Sequence, residues 1–295
     1  MSKQLALCWR YHAGNNALIW QIMFTESGLL VGQKRLVAEK KALFFALNET
    51  SGEVAVDDFV LMEHGEDSTI PAGEGWFTGI VTTRHALTYC YATAPESPEH
   101  LGMWAIDFRE GKVVWSKAGA SFVAHSKNAI LAVATTFFAG FPERHFVLLE
   151  PTTGNEQPAT LTIEQVNAIR AAAEPEEVRQ GVMMPDLANE LLLAAFPIIT
   201  EHVGNKQLLC CELLTHGNWL IATLHYPSAT PNCCDSYLAM WQGDTLRYHD
   251  YMEQAATRPL LNSVIVHNKH LFYIKAKNEL CCLCLSTHHA NHTDA

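Results

Sequence analysis

Apolar and polar residues alternate with period two along most of this chain, and short polar turns interrupt the alternation at regular intervals. Five stretches share one shape, a β-rich apolar strand running into a polar turn and straight out into another strand. They are 42–56, 103–115, 145–157, 237–248 and a shortened version at 280–285. Glycine stands in most of these turns, where a left-handed backbone is needed. A second hairpin recurs ahead of four of them: 77–91 across Thr83-Arg84-His85, 122–135 across Ser126-Lys127-Asn128, 208–224 across His216-Gly217-Asn218, and 264–274 across Asn268-Lys269. Two hairpins in tandem give one four-stranded meander.

Radial copies of such a meander make a β-propeller. The predicted fold is therefore all-β, a single propeller of about five blades, six or seven being the alternative count. Blades fall at about 16–62, 76–118, from 120 onward, 207–252 and 262–285. The last has only three strands of its own. Segment 4–10 alternates like a strand without a local partner, so it is expected to add the outermost strand of that blade and close the ring. The repeat breaks at 162–180, where a helical insertion is predicted: Thr162 and Gln165 are spaced as a capping box, and Ile163, Val166 and Ile169 recur at helical intervals. Beyond it, 190–199 reads as another strand. Domain limits follow as a propeller over 1–287 and a flexible, histidine-containing tail over 288–295.

The chain has 295 residues, 48% of them hydrophobic, ample for a large core, and a net charge of −11. Acidic proteins repel phosphate backbones, and no basic patch offsets this, so nucleic acid is not an expected partner. No apolar run approaches the roughly 18 residues of a membrane helix, and the start lacks a signal-peptide pattern, so no membrane partner is expected and a cytoplasmic setting is. Nine cysteines, an odd number with three vicinal pairs, read as reduced, mostly buried thiols.

One repeat unit carries a more specific pattern. Ala105-Ile106-Asp107-Phe108-Arg109-Glu110-Gly111-Lys112-Val113-Val114-Trp115 reads Ala-x5-Gly-x3-Trp, and 46–56 keeps the alanine and Gly52 with Val56 in the tryptophan place. The third unit keeps Gly154, with Leu148 and Pro158 at the other two positions. This resembles the tryptophan-docking repeat of the quinoprotein (PQQ-like) and WD40-like β-propellers, and especially small bacterial propellers without an assigned activity. The resemblance implies that the tryptophan packs between neighbouring blades. It does not bring a cofactor: the calcium constellation and export signal of the quinoprotein enzymes are missing, so a bound quinone is not expected.

Fold alone does not give function. The leading reading is a binding or interaction module for a protein or small-molecule ligand. The alternative is a small-molecule enzyme, hydrolase or isomerase-like, with its site on the loop face of the central channel. For that alternative the acid/base cluster Glu63, His64 and Asp67 supplies the catalytic candidates, a histidine between carboxylates being a potential general base. Trp76, beside that loop, and His225 and Asp235, in a run of imidazole, thiol and carboxylate, are the binding candidates. No metal is predicted, the alternative being a site made by Cys282, Cys284 and His288. Whatever the function, it belongs to segments that fail to repeat: 62–75, 159–189, 226–235 and the tail.

Overall fold

A computed structural model describes residues 5–65, 68–158 and 160–285 of the chain. The described residues form five antiparallel sheets in chain order, with the first strand, β1 (Leu7–His12), placed in the last sheet. The five sheets, their meander order and this strand exchange are those predicted for a five-bladed propeller. By internal packing the chain divides into two compact units, one of 16–180 and one made of 1–15 with 181–295.

In the 16–180 unit, the first sheet holds β2 (Ala17–Phe24), β3 (Leu29–Leu36), β4 (Lys41–Asn48) and β5 (Val54–Phe59). The second holds β6 (Thr78–Arg84), β7 (Leu87–Ala94), β8 (Ser97–Asp107) and β9 (Lys112–Ala118). The third has only β10 (Ala120–His125), β11 (Ile130–Phe138) and β12 (Phe141–Leu149). Its fourth strand shrinks to a single bridge, Leu149 to Glu156, so the third unit of the repeat is incomplete. Adjacent sheets pack face to face, as alternation requires. Val31, Phe44 and Ala46 meet Ile80, Cys90, Trp104 and Ile106, and Tyr89, Met103 and Trp115 meet Ile130, Ala132 and Val147.

The turns of the repeat behave as their glycines demand. Gly52, Gly111, Gly154 and Gly243 have φ of 72°, 62°, 69° and 56°, the left-handed region that residues with a Cβ enter only at a cost. The fifth unit differs from expectation. Residues 280–285 contain no turn, because Glu279–Cys284 is one strand, and the turn lies just before it at Ala276 and Lys277.

The helical insertion is α1 (Ile163–Ala172) followed by α2 (Glu176–Gln180). Both bonds of the capping box form: the Gln165 amide donates to Thr162 Oγ1 at 3.3 Å, and the Thr162 amide donates to Gln165 Oε1 at 2.9 Å. Val166 and Ile169 then cover the outer face of the third sheet at Leu131, Phe146 and Leu148.

In the second unit, β13 (Val182–Met183) and β14 (Asp186–Leu187) are short edge strands. The expected strand at 190–199 is instead two helices, α3 (Glu190–Ala194) and α4 (Pro197–Val203). The reason is local. Asn189 caps α3 by accepting the Leu192 amide at 2.9 Å, and Pro197, with no amide hydrogen to satisfy, opens α4. The fourth sheet adds β15 (Cys210–His216), β16 (Trp219–Pro227), β17 (Cys234–Gln242) and β18 (Thr245–Ala256) to β14. The last runs β1, β21 (Glu279–Cys284), β20 (His270–Lys275), β19 (Val264–His267) and β13.

Candidate functional site

The sequence-predicted residues are not brought together as one site. Glu63 is exposed, and no hydrogen bond joins its carboxylate to His64. His64 stacks on Trp104 at 4.0 Å between ring centroids and 12° between planes. It fills the space above Gly102, where a Cβ would stand 2.1 Å from its Nε2. Both its ring nitrogens are buried without a hydrogen-bond partner among the described residues, and burial lowers its pKa, so the ring is a neutral packing plate. Asp67 lies outside the described residues.

Trp76 is half-buried, and the Arg35 guanidinium lies 4.8 Å from its ring centre and 4.3 Å from that of Trp20. His225 is fully buried between β15 and β17. Its Nδ1 shares a 2.8 Å hydrogen bond with Ser236 Oγ, and its Nε2 sits 3.8 Å from Glu212. Burial pushes the Glu212 carboxyl up, but the nearby His225 ring and bonds from the Asn262 amide and Thr223 hydroxyl outweigh it and hold the group below the usual carboxylate range. Asp235, one register position away, accepts the Ala255 amide at 2.8 Å and does not bond His225. Cys282 is buried and Cys284 half-buried, both within hydrogen-bond reach of Cys8 across β1 and β21. Among the described residues no group of three or more His, Cys, Asp or Glu side chains is placed to hold a metal ion, and His288 lies outside them.

A different polar centre joins β6, β10 and α2. Thr82 Oγ1 is its hub, 2.7 Å from His125 Nε2, 3.0 Å from both Glu176 oxygens and 3.1 Å from Arg179 Nη2. The Glu176 carboxylate also receives Arg179 Nη2 in a short contact, Arg179 Nε at 3.2 Å and Gln180 Nε2 at 2.6 Å. The Phe24 amide donates to Gln180 Oε1 at 3.1 Å, which pins α2 to the end of β2.

Proton accounting fixes the tautomer. Thr82 has one hydroxyl hydrogen, and of its two partners that cannot donate, the Glu176 carboxylate at 3.0 Å is nearer and charged, the Thr83 carbonyl lying at 3.4 Å. Thr82 therefore donates to Glu176 and accepts from Arg179 and from His125 Nε2–H. His125 then carries its lone pair on Nδ1, which is buried with no hydrogen-bond partner. Burial, helped by Arg179 and Arg84, pushes the His125 pKa down to about 4. Burial raises Glu176, but its bonds with Arg179, Gln180 and Thr82 win and hold it ionised. Thr82 is fully buried and its proton is committed, so the group is not an activated nucleophile.

A cavity of about 670 Å³ opens over this centre, lined by Arg84, His125, Lys127, Ile169, Glu174 and Arg179 among others. Sequence reasoning missed it for a plain reason. Thr82 and His125 look like ordinary strand residues, and only the non-repeating segment 159–189, which delivers Glu176 and Arg179, was a pointer.

Acid should expose the strain at His125. The folded ring has a pKa of about 4 against 6.5 in the unfolded chain, so the unfolded state binds more protons between these values. Stability is intact above about pH 6.5 and falls as pH drops toward 4. Urea unfolding across that window should show a steeper acid loss in the wild type than in His125→Gln. Equal slopes would show that the ring titrates normally.

The third sheet also carries a feature with no polar chemistry. β11 and β12 pair beyond the reach of β10, whose ladder ends at Ala134, and continue as a two-stranded ribbon to a turn at Ala139 and Gly140. Phe137, Phe138 and Phe141 at its tip are 74%, 71% and 74% exposed. The second arm of the ribbon is strand from Phe141 onward.

No family model matches the chain. No curated protein matches it either. Among solved structures, it is similar to a putative glycoside hydrolase from Bacteroides ovatus at 9% identity, covering 92% of this chain and 87% of that one, with a TM-score of 0.33. It is also similar to a GH43 endo-arabinanase from Bacillus licheniformis (10% identity, 91% and 94% covered, TM-score 0.29). A third likeness is to the AfRom2 CNH domain (8% identity, 96% and 99% covered, TM-score 0.28). Likenesses this distant carry nothing about activity.

Proposed function

We propose that the protein is a binding module that docks a partner protein through the β11–β12 ribbon. The observation that carries this is the exposure of Phe137, Phe138 and Phe141 on one hairpin tip. Burying one such side chain is worth about 1.5–3 kcal/mol, and aromatic anchors of this kind dominate protein interfaces. The turn itself is costly, since Ala139 holds φ at 50° where glycine or asparagine is preferred. The partner is a protein with an apolar cleft in preference to a bilayer. The charges flanking the tip are Glu143 and Arg144, Arg144 is tied to Glu99, and the net charge of −11 offers no surplus of basic residues for anionic lipid.

The enzyme reading has less behind it. His64, His125 and His225 have buried ring nitrogens, and none forms a pair with an accessible nucleophile. Kinship with the tryptophan-docking bacterial propellers belongs to the same proposal, and the packing of Trp115 supports it. So does a cytoplasmic setting, in keeping with nine cysteines of which none is in a disulfide.

A photo-crosslinking amino acid placed at position 138 tests the docking reading in cells. The expected result is a discrete adduct whose captured partner, once identified and purified, binds the double variant Phe137→Ser/Phe141→Ser at least about tenfold more weakly than wild type. Equal binding by the variant, no adduct, or association with lipid vesicles instead of protein would each overturn it.

A further inference from the structure

The cavity above Thr82 and His125 is unused by the docking reading and stands apart from the ribbon. Its wall is one face of α1, formed by Ala168, Ile169, Ala172 and Ala173. His125 lines the cavity too, with Nε2–H given to Thr82 and Nδ1 sealed from it.

The charges around the opening are of both signs and incompletely cancelled. Arg179 is neutralised by Glu176, and Glu26 is held by the His85 amide at 3.1 Å and ring at 2.9 Å. Arg84, by contrast, meets only carbonyl oxygens, those of Ser126, Lys127 and Ala129, at 3.1, 2.7 and 3.0 Å. That leaves its Nε and one Nη2 hydrogen without a partner among the described residues. The side chains of Lys127 and Glu174 make no ion pair among them either. Two cations and a carboxylate thus border a pocket with one apolar wall.

We propose that this cavity binds a small zwitterion of the α-amino-acid type with an apolar side chain. Its carboxylate meets Arg84 and Lys127, its ammonium meets Glu174, and its side chain lies on the alanine and isoleucine wall. Each part of the ligand answers one lining feature, and 670 Å³ is ample for a molecule of that size. A neutral apolar compound would leave Arg84 and Glu174 unanswered, and a plain anion would face Glu26 and Glu174.

Calorimetric titration of the full chain with L-leucine, N-acetyl-leucine and leucinamide tests the assignment. Leucine is expected to bind with one-to-one stoichiometry. Each derivative, lacking one charge, is expected to bind at least about tenfold more weakly, the cost of a lost charge-assisted bond. Ile169→Asp should abolish binding, and the exposed Lys127→Glu, which leaves the fold alone, should weaken it severalfold. No saturable heat from leucine at about 10 mM, far above a Kd of about 1 mM, would overturn the proposal. So would equal binding of all three compounds, or leucine binding unaffected by both substitutions.

Discussion

Removal of residues 1–12 leaves a chain that does not reach a stable native state and is recovered mainly as aggregate. The loss is larger than one strand suggests. Trp9 and Tyr11 on β1 are buried, and Trp9 packs on Phe272 at 5.8 Å. Two aromatic side chains account for about 3–6 kcal/mol of burial, against a total stability of about 5–15 kcal/mol for a typical domain. Backbone pairing goes too: Trp9, Arg10, Tyr11 and His12 face Cys282, Cys281, Leu280 and Glu279 in the ladder. The Arg10–Glu279 ion pair at 3.3 Å is exposed on the arginine side and contributes little. What truncation uncovers matters as much. β21 would become an open edge reading Leu-Cys-Cys-Leu-Cys over 280–284, apolar and β-prone, the kind of edge that templates aggregation. Light scattering and circular dichroism of the truncated protein report both effects. A synthetic peptide of residues 1–15, added during refolding, should restore native signal. A truncated chain with the full-length urea midpoint would show that β1 is dispensable.

Trp115→Ala is expected to cost about 3–5 kcal/mol, among the largest effects of any single substitution in the molecule. The Trp115 ring is buried among Tyr89, Met103 and Val147. Its Nε1 donates to the Pro151 carbonyl at 2.8 Å, an oxygen that Tyr89 also reaches at 3.1 Å. It is therefore docked on the turn that follows β12, in the next copy of the repeat. Trp115→Phe should cost less, because Tyr89 still satisfies the Pro151 oxygen. Gly154 completes the socket: a Cβ there would lie 2.6 Å from the indole and require a φ of 69°. Gly154→Ala thus combines a steric clash with about 1 kcal/mol or more of backbone strain. The two substitutions should be strongly non-additive, since removing the indole removes the clash and leaves only the strain. Urea denaturation of the two single variants and the double variant measures this coupling. Simple additivity would mean that the ring and the glycine do not share a socket.

That socket also shows what was legible in the sequence. A glycine repeated at fixed places in strand-turn-strand units encodes a backbone state, and backbone states are local, so Gly52, Gly111, Gly154 and Gly243 mark their turns faithfully. The capping box at Thr162 is local in the same sense. Residues 190–199 were misread because an uninterrupted apolar run has no period to distinguish strand from helix. The cap at Asn189 and the proline at 197 decide it, and both are weak signals in isolation. The polar centre was illegible for another reason. Thr82, His125 and Glu176 are joined by strand register and by the return of α2, neither of which leaves a spacing to find. Nor does the sequence mark Phe137 and Phe138 as exposed. Their exposure depends on β10 stopping opposite Ala134, a fact about the neighbouring strand and not about their own.

The pairing of β1 with β21 has a consequence for synthesis. During synthesis β1 finds its partner only when residues 279–284 emerge. At about 5–20 residues per second the delay is on the order of tens of seconds. Throughout that interval Trp9 and Tyr11 have no native surface to cover, while the intervening sheets are already available to fold. The nascent chain therefore carries a waiting, sticky strand, and the emergence of β21 is the signal that ends the wait.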